Sequence, residues 1–144
     1  MKQTYYDFLK AEFEEYKGEY DAYLRYALDL FKLLCDILEE DIRPEDRQKV
    51  NAALSYFVSP LDVFPEDLHG PEGFTDDIYI CAVVLLYIHK KYPEMLHRLW
   101  GQGKSLDELL PFIKETSEKR LKEWNLREKT IKYAGLDYLM PGLL

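Results

Sequence analysis

The chain has 144 residues, 47% of them hydrophobic, which suits one domain with a real core and is too apolar for a disordered chain. Its formal net charge is -8 and its pI about 4.9. That balance argues against nucleic acid and anionic lipid as partners, since both are held by Lys and Arg. Aromatic residues make up 15%, and 12 residues are Tyr. A tyrosine buries its ring while its hydroxyl reaches water or a polar partner, so it serves the margins of a thin helical domain, the reading favoured by the helical spacing of most of these tyrosines, with a binding surface as the alternative.

The N-terminus opens polar and acidic, without the basic-then-apolar order of a signal peptide, and the chain is expected to be soluble and cytoplasmic. Tyr5, Phe8, Leu9, Phe13, Tyr16, Tyr20, Tyr23, Leu24, Ala27, Phe31, Leu34 and Leu38 recur at steps of three and four. They form one stripe of a long amphipathic helix, which Gly18 bends or frays and which ends at Asp41-Ile42-Arg43-Pro44. Pro44 opens a second helix, because proline at a first helical position gives up an N–H that had no partner there. Glu45 and Asp46 complement the positive end of its dipole, and Val50, Leu54 and Phe57 form its apolar face.

Residues 59–77, SPLDVFPEDLHGPEGFTDD, interrupt the helical pattern with three prolines, two glycines and six carboxylates. Ser59-Pro60-Leu61-Asp62 has the form of a helix start, and Thr75 is placed to cap the next helix with Asp76 and Asp77 in its first turn. That helix carries the apolar run Ile78 to Ile88 on most faces and is expected at the centre of the bundle. The run is far short of the roughly 20 residues that cross a bilayer. Pro93 opens a short segment ending at Trp100, with Gly101 and Gly103 in a loop. Ser105-Leu106-Asp107-Glu108 is a second capping box, starting a helix to about Trp124 in which Pro111 sets a kink or a new start. Asn125 to Leu139 is the last predicted helix. The apolar tail Leu139 to Leu144 docks on its own domain or on another subunit. Cys35 and Cys81 sit apart among apolar residues, as buried free thiols do.

Tyr56-Phe57-Val58-Ser59-Pro60-Leu61-Asp62-Val63-Phe64-Pro65, followed by Gly73-Phe74-Thr75-Asp76-Asp77 and a run of aliphatics, resembles the YkvA-like family, also called domain of unknown function 1232. The likeness covers about residues 54–88. Glu66 stands where the family favours Asp, and His69 where it often has Pro. The resemblance implies a small helical protein or module, some relatives being membrane-associated, with no established activity. It points to Asp62, Asp76 and Asp77.

These observations lead to an all-α bundle of about five or six helices, with a long N-terminal amphipathic helix, in one domain spanning 1–144. The expected role is an interaction or scaffold module, with a protein partner or homo-oligomer and no stable membrane insertion. Enzyme signatures such as a nucleophile elbow, a phosphate-cradling loop or a dinucleotide fingerprint are missing from the sequence, and no cofactor is expected. The acids of the connector read first as helix caps. The alternative is a divalent-cation or hydrolytic site on Asp62, Glu66, Asp76 and Asp77, with His69 as base or ligand; Mg²⁺, Ca²⁺ or Mn²⁺ would bind there through oxygen. His89 and His97 read as surface residues at polar helix ends.

Overall fold

The computed structural model describes residues 26–58, 74–101 and 105–144. The first part of the aromatic stripe with Gly18, and the connector with Asp62, Glu66 and His69, lie outside the described residues, as does Gly103. Seven helices and no strand occur among the described residues: α1 (Ala27–Ile37), α2 (Pro44–Val58), α3 (Thr75–Lys91), α4 (Pro93–Trp100), α5 (Leu106–Glu123), α6 (Arg127–Tyr133) and α7 (Leu136–Leu139).

In α1, Ala27, Leu30, Phe31, Leu34 and Ile37 are buried, the three-four spacing that lines one face. The backbone carbonyls at its C-terminal end find a donor from the next helix. Arg47 gives Nη1 to Leu38 O at 2.7 Å and Nη2 to Glu40 O at 3.0 Å, satisfying groups that a helix end leaves open. Pro44 starts α2 as its sequence predicts. Val50 and Phe57 are buried, joined by Ala53 and Tyr56, whereas Leu54 is half-buried. Phe57 meets Phe31 edge-on, with ring centroids 5.1 Å apart.

The expected central helix is α3. It is buried on nearly every face from Thr75 to Leu85 and packs most extensively against α5, with α2, α1, α4 and α6 also around it. A helix apolar all round needs such a surround, because each fully buried Leu or Ile contributes about 1.5–3 kcal/mol. The start of α3 differs from expectation. Phe74 takes the cap position without a side-chain cap bond, and Thr75 is the first helical residue. Phe74 packs near Phe57, centroids 6.3 Å apart, and this draws the helix start into the core and takes Thr75 inside with it.

Ser105 does cap α5, accepting from the Asp107 backbone N–H at 3.2 Å. Pro111 neither ends nor restarts this helix, which runs on to Glu123; so near the N-terminus, the N–H it lacks deprives only the Asp107 carbonyl of a partner. The predicted last helix is divided. Asn125 at φ +59° ends α5, and Gly135 at φ +76° separates α6 from α7. Both adopt the left-handed conformation that closes helices, which Gly and Asn enter at least cost. The tail folds back on its own chain: Leu139, Met140 and Leu143 pack against the core, and Arg127 Nη2 donates to Leu143 O at 2.8 Å. No described helix is long and apolar enough to cross a membrane.

Candidate functional site

The described acids of the connector are inside the protein. Asp76 and Asp77 occupy the first turn of α3 and are both fully buried. Tyr56, one helix back, donates its hydroxyl to Asp76 Oδ2 at 2.6 Å. That length is typical of a charge-assisted O–H···O⁻ bond. Placed on a helix N-terminus, the two carboxylates also face the positive end of its dipole. Asp62, Glu66 and His69 lie outside the described residues.

Three polar clusters escaped the sequence. The first centres on Asp46, which is fully buried instead of merely facing the dipole of α2. Its carboxylate accepts from Tyr87 OH at 2.8 Å and Tyr92 OH at 2.6 Å, and pairs with Lys91 Nζ at 2.8 Å. Burial opposes its ionisation, but the bonds from Lys91, Tyr92 and Tyr87 prevail and hold its pKa below the ordinary carboxylate value. The Tyr92 hydroxyl also accepts from the Arg43 backbone N–H at 3.2 Å, so one tyrosine links the starts of α2 and α4.

The second cluster centres on Glu118 of α5. It accepts from Tyr79 OH at 2.8 Å and Arg127 Nε at 3.1 Å, and Lys114 Nζ lies at 3.3 Å. Burial raises its pKa, yet Tyr79, Arg127 and Lys114 outweigh that and bring it below the ordinary value. The phenol of Tyr79 is pushed well up, by burial first and by Glu118 second. Cys81 is likewise driven up by burial, and Cys35 and Cys81 are both free thiols, Cys35 being only half-buried.

The third cluster corrects the surface assignment of His89, whereas His97 is at the surface as expected. His89 in the last turn of α3, His97 in the last turn of α4 and Asp107 in the first turn of α5 converge. His89 Nε2 lies 2.7 Å from Asp107 Oδ1, His97 Nε2 lies 3.5 Å from the same oxygen, and the two Nε2 atoms are 3.4 Å apart. His89 is mostly covered, whereas His97 and Asp107 are 51% and 60% exposed.

A family described as "Protein of unknown function (DUF1232)" matches residues 50–83. Over 131 residues the chain is 33% identical to "Uncharacterized protein ORF9" of Methanothermobacter thermautotrophicus, covering 89% of this chain and 88% of that protein. The chain belongs to the DUF1232 family. A shorter likeness reaches "E3 ubiquitin-protein ligase RNF170" of Xenopus laevis, 48% identical over 44 residues, which are 31% of this chain and 17% of the ligase. The same ligase of Danio rerio is 43% identical over 53 residues, 36% of this chain and 20% of that protein. No solved structure matches. The DUF1232 segment contains Tyr56, Asp76 and Asp77, whereas Asp46, Glu118 and the His89–His97–Asp107 cluster lie outside it. No specific activity is evident for the DUF1232 fold.

Proposed function

We propose that the chain is a small cytoplasmic interaction module that binds protein, a second copy of itself being the partner to test first, and that its DUF1232 segment is structural. The observation that carries this is the enclosure of Asp76 and Asp77, with the Tyr56 hydroxyl on Asp76: the acids best suited to chemistry are used within the fold. A stretch of 44 residues of this chain has a likeness within a minor part of a ligase, which fits a building block used in different settings. Tyr133 and Tyr138 are 57% and 84% exposed, and such rings make good anchors for a partner. The free thiols fit a reducing compartment. Light scattering across a wide concentration range tests the proposal. Self-association is expected, weakened by Tyr138→Asp; a monomer at every concentration refutes it.

A second reading places a hard divalent cation, with hydrolytic chemistry, on Asp76 and Asp77 together with Asp62, Glu66 and His69. Its support is the burial of two adjacent carboxylates in one helical turn, since like charges held together are relieved by a cation with oxygen ligands. Thermal melts with excess Mg²⁺, Ca²⁺ and Mn²⁺ test it, and unchanged melts with all three remove it.

A further inference from the structure

We infer that His89, His97 and Asp107 form a binding site for a divalent transition-metal ion of the zinc class. The site is separate from the acidic connector and independent of the interaction proposed above. Each residue comes from a different helix, and each sits at the helix end nearest the junction. Pro93 starts α4 immediately after α3, bringing His97 back beside His89. The rings meet edge-on with centroids 5.3 Å apart. The N-terminus of α5 then delivers Asp107, anchored by the Ser105 cap on its own backbone N–H.

Two of the three donor separations have the spacing a metal requires. Zinc binds imidazole nitrogen and carboxylate oxygen at about 2.0–2.2 Å in tetrahedral geometry, so neighbouring donors stand about 3.3 Å apart. The nitrogen–nitrogen separation of 3.4 Å and the His97–Asp107 separation of 3.5 Å match this, and the His89–Asp107 separation of 2.7 Å is shorter. A triangle with these sides has a circumradius of about 1.9 Å, so a point about 2.05 Å from all three atoms exists, about 0.8 Å out of their plane. A regular tetrahedron puts the metal about 0.7 Å out of the same plane. The three atoms can therefore share one ion, and His89 and Asp107 would part by about 0.6 Å to reach the tetrahedral spacing.

The donor chemistry agrees with the geometry. Two neutral imidazoles and one carboxylate suit Zn²⁺, Co²⁺ or Ni²⁺, and suit Mg²⁺ or Ca²⁺ poorly because those ions prefer all-oxygen ligands. His89 pairs with Asp107, and His97 Nε2 lies within reach of both His89 Nε2 and Asp107 Oδ1, so all three donors converge on one point. With His97 and Asp107 each more than half exposed, water can reach a fourth position. Three protein ligands and one open position characterise zinc sites that act on a ligand, whereas purely structural zinc takes four protein ligands. A bound ion would also join the ends of three helices.

The test uses the full chain free of any affinity tag, dialysed against chelator and titrated calorimetrically with ZnCl₂, then with CoCl₂ and MgCl₂. One equivalent of Zn²⁺ is expected to bind and raise the melting temperature. Co²⁺ is expected to give visible absorption of four-coordinate intensity, and Mg²⁺ no binding that these variants abolish. His97→Gln and Asp107→Asn, both at exposed positions and checked for folding by circular dichroism, should each weaken Zn²⁺ by about a hundredfold, at or beyond the roughly 10–100-fold that outer-shell changes cost. His69→Ala should leave Zn²⁺ binding unchanged. The inference is overturned if no stoichiometric Zn²⁺ binding occurs, if both ligand variants keep the parent affinity, or if His69→Ala abolishes it.

Discussion

Replacing Tyr56 by Phe removes one oxygen and leaves the ring, so no large cavity opens and the effect reports on what the hydroxyl contributes, its bond to Asp76 included. The Tyr56 hydroxyl lies 2.6 Å from Asp76 Oδ2, with Tyr56 only 5% exposed and Asp76 fully buried. Water cannot readily replace the lost donor there. A hydrogen bond to a charged group contributes about 1.5–3 kcal/mol net, and the upper part of that range applies where the acceptor stays dry. For a chain of this size, 1 kcal/mol moves the melting temperature by about 3–4 °C. Tyr56→Phe should therefore melt about 6–12 °C lower and lose about 2–3 kcal/mol in urea with little change in slope. Asp76→Asn, combined with Tyr56→Phe in a double-mutant cycle, should return a coupling of about 1–2 kcal/mol. If Tyr56→Phe stays within about 0.5 kcal/mol of the parent, as a surface change would, the bond does not hold the corner together and the structural role given to Asp76 is wrong.

Acid should unfold the protein partly through Asp46 and Glu118. Their folded pKa values are depressed, so their contribution is fully present above the ordinary carboxylate range near pH 4 and is lost as pH falls through the lower folded values. Urea melts from pH 7 to 3 should show a steep fall below about pH 4.5, made shallower by Glu118→Gln; identical slopes would contradict this. Gly135→Ala should cost about 1 kcal/mol, because φ is +76° and an added Cβ meets nothing within 4 Å, leaving only the backbone penalty. An unchanged denaturation midpoint would show that the α6–α7 break does not need glycine.

Local chemistry was legible in the sequence. Pro44, Pro93 and Ser105 open helices where their backbone preferences say they should. The apolar run after Asp77 was legible as the central helix because it leaves no polar face for solvent. The division of the last helix was less so, since Gly135 costs about 1 kcal/mol in a helix, an amount that tertiary packing can override in either direction. Asp46 read as a first-turn acid because nothing nearby in sequence reveals Tyr87, Lys91 and Tyr92, more than forty residues on. The histidine cluster was hidden for the same reason. His89, His97 and Asp107 are on three helices, and their spacing fits no single-helix metal pattern; only the turn at Pro93 and the packing of α5 on α3 bring them together.

The Glu118 cluster has a consequence for how this chain can vary over time. Tyr79, Glu118 and Arg127 stand on three helices and share one carboxylate oxygen. A neutral, apolar replacement of Glu118 alone would take the acceptor from a covered phenol and leave Arg127 only its bond to Leu143 O, whereas replacing all three by well-packed apolar residues would leave just the Leu143 carbonyl to find another donor. Substitutions at 79, 118 and 127 should therefore appear as a set across descendants of a common ancestor, passing through few viable single-step intermediates.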